Sequence, residues 1–329
     1  MKDVEAAEIL GVERNGPLKT ALHTISYSGS WGQAQLSLEE TIERAGSLGF
    51  DGIMLAAKRP HASLLDMGPE ARRRLKGKME DCGVSLECLA AYTNFTADAE
   101  HEEIPQREMQ IHAVGDLCRL AVDLGGRIVR IFTGYEHPSL PYSRAWDATV
   151  SAVKECARRA ADAGAVIAVQ NHHDIAAHSD AFLQFIRAVG EPACRAAFDA
   201  WAAALQGDEV TQAAKKLAPW TIFTTVADYV RQPRFRYRPE LVNYARETDS
   251  VQAVPVGEGI IDYRGFLAAL REGGFDGCVA YEMCSPLRDG RDLQTLDRYA
   301  SRFLEFMRPV ASERPPLSSP PSGRYHARP

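Results

Sequence analysis

No stretch of this chain approaches the roughly 18 consecutive apolar residues of a membrane span. None of its 7 cysteines stands in a C-x-x-C pair. The first absence argues against a spanning helix. The second argues against a thiolate zinc site or a disulfide framework, since Cys82, Cys88, Cys118, Cys156, Cys194, Cys278 and Cys284 are odd in number and scattered. A reducing, cytoplasmic setting is the expectation. No G-x-G-x-x-G follows an apolar run, and nothing resembles a P-loop or a nucleophile elbow, which weakens a dinucleotide-binding reading above all. The stretch Met1 to Asn15 is charged and lacks an apolar signal core. Positive charge is also short: 38 Lys and Arg face 44 Asp and Glu, for a net charge of -6. Nucleic-acid or anionic-membrane binding would therefore need a local basic patch, and neither is expected.

What is present is a recurring phrase: a helical pattern, a glycine, then an apolar run. It occurs around Gly49, Gly83, Gly125, Gly164 and Gly274, and each instance reads as a helix stopped by glycine and followed by a strand. Apolar runs near 18–25, 51–57, 84–91, 127–133, 165–171, 194–199, 220–227 and 277–283 predict strands, each with a helical pattern after it. That count and spacing predict a closed α/β barrel of (β/α)8 type, with a doubly wound open sheet as the alternative. Ser37-Leu-Glu-Glu40 reads as a capping box, and Asp262 as a cap for the helix through Phe266. Three segments are expected: an N-terminal extension over 1–17, the barrel over 18–307, and a Pro- and Ser-rich tail over 308–329.

The run Val166-Ile-Ala-Val-Gln-Asn-His-His-Asp174 ends abruptly in polar groups, as a buried strand does when it delivers side chains to the rim of a sheet. Period-two alternation puts Ala168, Gln170 and His172 on one face, and the same parity gives Ala197 with Asp199, Phe223 with Thr225, Ala280 with Glu282, and Ala21 with His23. Small residues two positions before polar ones leave room in the barrel lumen. A carboxylate at the end of an apolar strand, such as Asp199 or Glu282, must be paired, metal-bound or neutralised. The structural alternative for both is a buried ion pair with a residue such as Arg130. His173, of opposite parity, is expected to be structural. Candidate substrate contacts are His23, Lys58, Trp201, Arg231, Arg234 and Arg236; the arginines lie in the segment Arg231-Gln-Pro-Arg-Phe-Arg-Tyr-Arg238, read as a rim loop that clamps an anion or contacts another subunit.

Over about residues 18 to 307 the chain resembles the sugar isomerase/epimerase superfamily with the xylose-isomerase-like TIM barrel. The motifs that carry this are Leu48-Gly-Phe-Asp-Gly-Ile-Met-Leu55, Val169-Gln-Asn-His172, Phe198-Asp199, Val226-Ala-Asp228, Gly257-Glu-Gly-Ile-Ile-Asp262 and Gly274-Phe-Asp-Gly-Cys-Val-Ala-Tyr-Glu282. The resemblance implies a TIM barrel and a divalent cation, Mn or Mg, held by a Glu, an Asp, a His and a second Glu at the ends of the fifth to eighth strands. Asp199 and Glu282 match that set; Gln170 replaces the first Glu, and Thr225 replaces the His three residues before Asp228. The expectation is a rearranged site, with Asp199 and Glu282 as metal ligands aided by Gln170 or His172. In it His172 serves as a near-neutral base, Glu282 as the opposing acid or base, and Gln170 as donor to an oxyanion. The implied function is a sugar isomerase or epimerase working through an enediolate. The alternatives are a lyase cleaving a 3-keto-glycoside by β-elimination and a non-catalytic sugar-binding barrel. A small-molecule sugar is the expected partner, with a homo-oligomer or a small partner subunit left open.

Overall fold

The computed structural model describes residues 17–283 and 285–312; the segments 1–16 and 313–329, with most of the expected extension and tail, lie outside them. Eight apolar runs form a closed parallel barrel: β1 (Lys19–His23), β2 (Gly52–Ala56), β3 (Ser85–Ala90), β4 (Ile128–Ile131), β5 (Val166–Gln170), β6 (Cys194–Ala197), β7 (Thr221–Val226) and β10 (Cys278–Tyr281). Each strand falls inside the span that the sequence pattern predicts. Closure of β10 against β1 rules out the open sheet.

Helices fill the outer ring: α1 (Leu38–Leu48), α2 (Pro69–Asp81), α3 (Gln106–Asp123), α4 (Tyr142–Asp162), α5 (Ser179–Val189), α6 (Ala200–Gln206), α7 (Val210–Leu217), α8 (Tyr263–Glu272) and α9 (Leu293–Ser312). The last runs past the expected boundary at 308 and includes Pro309. The capping box forms: Ser37 Oγ accepts from the Glu40 N–H at 3.3 Å, and Glu40 Oε2 accepts from the Ser37 N–H at 2.8 Å. Asp262 Oδ1 accepts from the Gly265 N–H at 2.9 Å at the start of α8. Such caps contribute about 0.5–2 kcal/mol each.

Alternation along the strands sorts the core into two shells. Leu22, Ile53, Leu89, Val129, Ile167, Val169 and Val279 point outward and bury against the helices. Ala21, Met54, Cys88, Ala90, Ala168, Ala197, Phe223 and Ala280 point inward as a separate cluster. The inner shell is built largely from small side chains, so the lumen is filled low down and leaves space for polar groups at the carboxyl ends of the strands, where barrels of this type keep their chemistry.

One element departs from the expected βα rhythm. The segment read as a loop after β7 is a strand, β8 (Asp228–Arg238), paired antiparallel with β9 (Asn243–Val254) in a long hairpin arm ahead of α8. Its foot is tied by Asp228, whose carboxylate accepts backbone N–H bonds from Tyr229, Gly257 and Gly259 at 2.9 Å each and from Ile261 at 3.3 Å. A Cβ at Gly259 would lie 2.0 Å from Asp228 Oδ1, so this close approach requires glycine. The Val226-Ala-Asp228 and Gly257-Glu-Gly motifs thus serve the joint between arm and barrel.

Candidate active site at the carboxyl ends of the strands

The ends of β5, β6 and β7 come together at Asp199. Its carboxylate is buried and surrounded by donors: the Thr225 N–H to Oδ1 at 2.9 Å, the Thr225 hydroxyl to Oδ2 at 2.6 Å, the Trp201 indole N–H to Oδ2 at 3.0 Å, and the Gln170 amide to Oδ2. The Asp199 backbone is held as well, its N–H donating to Asn171 Oδ1 at 2.7 Å and its carbonyl accepting from Asn171 Nδ2 at 3.0 Å. Burial pushes the Asp199 carboxyl up, and the hydrogen bonds from Thr225, Gln170 and Trp201 oppose that rise. Trp201, expected to touch substrate, spends its N–H on Asp199.

Gln170 is oriented by this carboxylate. Only its NH2 group can face Asp199 without repulsion, and that group also lies 3.5 Å from Thr225 Oγ1. Its Oε1 is buried without a partner. The expected oxyanion donor is therefore an acceptor toward the lumen.

Glu282, at the end of β10, lies near Asp199 and titrates at about 7: burial raises its pKa first, Asp199 adds to the rise, and Arg130, Thr225 and Lys58 oppose it. Its side chain keeps 13% of its surface exposed, while the Oε2 atom itself is buried. Its Oε2 has no partner, and its Oε1 lies 3.8 Å from His23 Nε2. His23 is wholly buried, and its Nδ1–H donates to the Met54 carbonyl at 3.0 Å, so in the neutral ring Nε2 is left as a bare acceptor. Burial and then Arg130 hold the His23 pKa well below the ordinary range.

His172 does not fit the expected near-neutral base. Its pKa is lowered to about 3, first by burial and then by His173 and Arg130. Its Nδ1 accepts the His173 backbone N–H at 2.8 Å, which assigns the ring proton to Nε2. The imidazole is a neutral donor. Its ring packs edge-on against Trp201 and lies 4.5 Å from the Phe132 ring. His173, left-handed at φ 70°, stacks on Tyr135, in keeping with packing rather than chemistry.

Across the mouth, the sequence reading undervalued one residue. Arg130, 1% exposed, points into the lumen from β4, where its register neighbours are Ala90 and Ala168. Its Nη1 donates to the Ala91 carbonyl at 2.9 Å, its guanidinium lies 3.9 Å from the Phe132 ring centre, and its Nε has no partner. An arginine inside the apolar run Ile128-Val-Arg-Ile131 is the sequence signal that marks it. Lys58 Nζ sits 3.8 Å over the Tyr92 ring, and the Arg130 guanidinium is 5.1 Å from that same ring. The structural alternative of a close ion pair is not met at Glu282, whose contact within 4.0 Å is with His23.

The arm arginines are engaged elsewhere. Arg231 donates to the Ala204 and Leu205 carbonyls at 3.4 and 3.3 Å, at the end of α6. Arg236 pairs with Glu247 at 3.1 Å, and Arg234 lies opposite Glu247 in the hairpin register. Both are exposed. Among the described residues, these contacts run along the arm and its foot rather than to Gln170, Asp199 or Glu282, in place of the expected rim clamp.

A family-like metal centre does not fit these side chains. Asp199 has N–H or O–H donors on both oxygens, Gln170 turns its NH2 toward it, and Thr225 commits its hydroxyl proton to it. Among the described residues no group of three His, Cys, Asp or Glu is placed to hold a metal ion. The free acceptors His23 Nε2, Gln170 Oε1 and Glu282 Oε2 suit the hydroxyl hydrogens of a polyol instead.

Fold and site together define a (β/α)8 protein with acid–base groups at the carboxyl ends of its strands. A family model described as xylose isomerase-like TIM barrel matches residues 42–308, and the chain belongs to that family. No curated protein matches it in sequence. Among solved structures it is similar to the D-psicose 3-epimerase of Clostridium cellulolyticum H10, at 16% identity and a TM-score of 0.70 over 89% of this chain and 99% of that one. It is similar to the probable 3-DHS dehydratase AsbF of Bacillus anthracis, at 18% identity and 0.66 over 88% and 99%. An L-ribulose 3-epimerase gives 16% identity and 0.64 over 89% and 95%. At these identities the likeness is one of fold.

Proposed function

We propose that the protein is an enzyme that enolises a keto or aldo sugar derivative, with Glu282 as the base that removes the proton beside the carbonyl. The observation that carries this reading is a carboxylate at the end of β10 with a buried, unpartnered oxygen and a pKa near 7, poised between its two protonation states at neutral pH. Glu282 takes the proton, the C–H electron pair forms the C=C bond, and the carbonyl oxygen becomes the enolate oxygen. The neutral His172 supplies its Nε2–H to that oxygen; a ring of such low basicity donates a hydrogen bond without giving up its proton, the pattern seen where a neutral imidazole polarises a carbonyl. Gln170 Oε1 and His23 Nε2 accept substrate hydroxyls.

On an α-hydroxy carbonyl, passage of the hydroxyl proton to the enolate oxygen, with return of the carbon-bound proton by Glu282 to the former carbonyl carbon, makes the new C=O at the α-carbon and gives isomerisation with a single base. Expulsion of a β-substituent from the same enolate gives elimination, and the dehydratase among the fold neighbours favours keeping that reading beside the first. Epimerisation asks for a second acid on the opposite face. His172, with Nδ1 occupied, is not that group.

The test is solvent-deuterium uptake by NMR, using a panel of ketoses, aldoses and their acid derivatives. The wild-type chain should exchange one carbon-bound proton in at least one compound, and Glu282→Gln should slow that exchange by about 10²–10⁴. Exchange at the wild-type rate in Glu282→Gln would overturn the assignment.

A further inference from the structure

We infer that Arg130 and Lys58, gathered about the Tyr92 ring, form a seat for a compact oxyanion on the substrate, so that the site takes an acidic sugar rather than a neutral one. This rests on the proposed reading of the site and names its substrate class.

Among the described residues no carboxylate lies within 4.0 Å of the Arg130 guanidinium, and Glu282 acts on it only from farther off. The neighbours of Arg130 in strand register are alanines, its Nη1 bond goes to a carbonyl, and its Nε–H is buried without an acceptor. A buried guanidinium costs several kcal/mol unless it is paired. The second cation makes this worse. Lys58 Nζ and the Arg130 guanidinium lie 3.8 and 5.1 Å from the centre of one aromatic ring, and their mutual repulsion lowers the Lys58 pKa after burial has done so. Glu282 feels both cations from a distance, and its Oε1 lies 3.8 Å from Nε2 of a His23 ring that stays neutral. A bound carboxylate or phosphate would accept from the Nε edge of Arg130, the side of the fork suited to two parallel N–H bonds, and would place its charge beside Lys58. It would satisfy the orphan donor and relieve the repulsion together.

The rest of the rim repels an anion: the strands flanking this seat, β1 and β5, carry bare acceptors, and β10 across the barrel carries Glu282. His23 Nε2, Gln170 Oε1 and Glu282 Oε2 are all bare acceptors. An acidic sugar thus has one orientation: its anion over β2 to β4, its hydroxyls and the labile C–H under Glu282. Two cations suffice to hold a monoanion; a phosphate would use the same hydrogens.

The experiment is calorimetric titration of the full chain with matched ligands: hexuronates and aldonates, hexose phosphates, and the corresponding neutral sugars. We expect an acidic ligand to bind at least about tenfold more tightly than its neutral match, a preference that weakens with added salt. Arg130→Gln should bring the two within about twofold, and Lys58→Met should remove part of the preference. Tighter binding of uronates or of phosphates tells which oxyanion the seat takes. Neutral sugars binding as well as acidic ones, or a preference that survives both substitutions, would overturn the inference. If Arg130→Gln fails to fold, the exposed Lys58→Met variant carries the test. Deuterium uptake measured on the same ligands separates the two ideas. Exchange without anion preference removes the seat and leaves enolisation; anion preference without exchange in any ligand does the reverse.

Discussion

The two walls of the barrel mouth are made on opposite plans. On the side of β6 and β7, Asp199 is enclosed by four donors, and almost every hydrogen of Gln170, Thr225 and Trp201 that could reach it does so. On the side of β2 to β4, Lys58 and Arg130 share a ring and carry an unspent donor. A saturated wall fixes shape, because removing any member strands its partners. An unsaturated wall contributes little to folding and keeps its interactions for a ligand.

The sharpest way to break this comparison is Asp199→Ala, which leaves the Gln170, Thr225 and Trp201 donors buried without an acceptor. Urea unfolding should show a loss of about 3–4 kcal/mol. A loss under 1 kcal/mol would mean that the wall is not saturated in solution. A smaller effect is expected from Glu282→Gln, and its sign depends on pH. Folding raises the Glu282 pKa from an ordinary 4.5 to about 7, so the native state holds that proton more tightly. The resulting stabilisation is present below pH 4.5 and disappears as pH rises through 7. Wild type should therefore lose roughly 2 kcal/mol between pH 5 and pH 9 that Glu282→Gln does not lose. Parallel pH profiles for the two proteins would show that the carboxyl is not perturbed. The smallest effect belongs to the other wall: Lys58→Met should leave unfolding free energy within about 0.5 kcal/mol of wild type, and on the stabilised side, because repulsion from Arg130 goes with the charge.

The staves and the side each residue faces were legible because alternation along a buried strand is a rigid geometric rule. Alanine two positions before a polar group marked the lumen correctly at Ala21, Ala168, Ala197 and Ala280. Protonation states were not legible. The role of His172 turns on a backbone N–H from His173, and that of Gln170 on which end of an amide meets Asp199; both depend on neighbours placed by the fold. Arg130 was visible as a charge inside an apolar run but was weighed only as a partner for the carboxylates. The hairpin arm was read as a loop because Pro233 and the density of charge suggest one. Yet Arg234-Phe-Arg-Tyr-Arg238 alternates with period two, which is a strand's signature.

The Asp228 clamp gives the arm a particular freedom. Four backbone hydrogens gathered on one carboxylate close the two feet of the hairpin into a collar. Beyond that collar, length and surface chemistry are uncoupled from the stagger of the staves. Leu241 and Val242 at the tip are 70% and 80% exposed. Changes there can graft new contacts onto the molecule while the rim of strand ends keeps its dimensions, so the outgrowth is where this chain has room to vary.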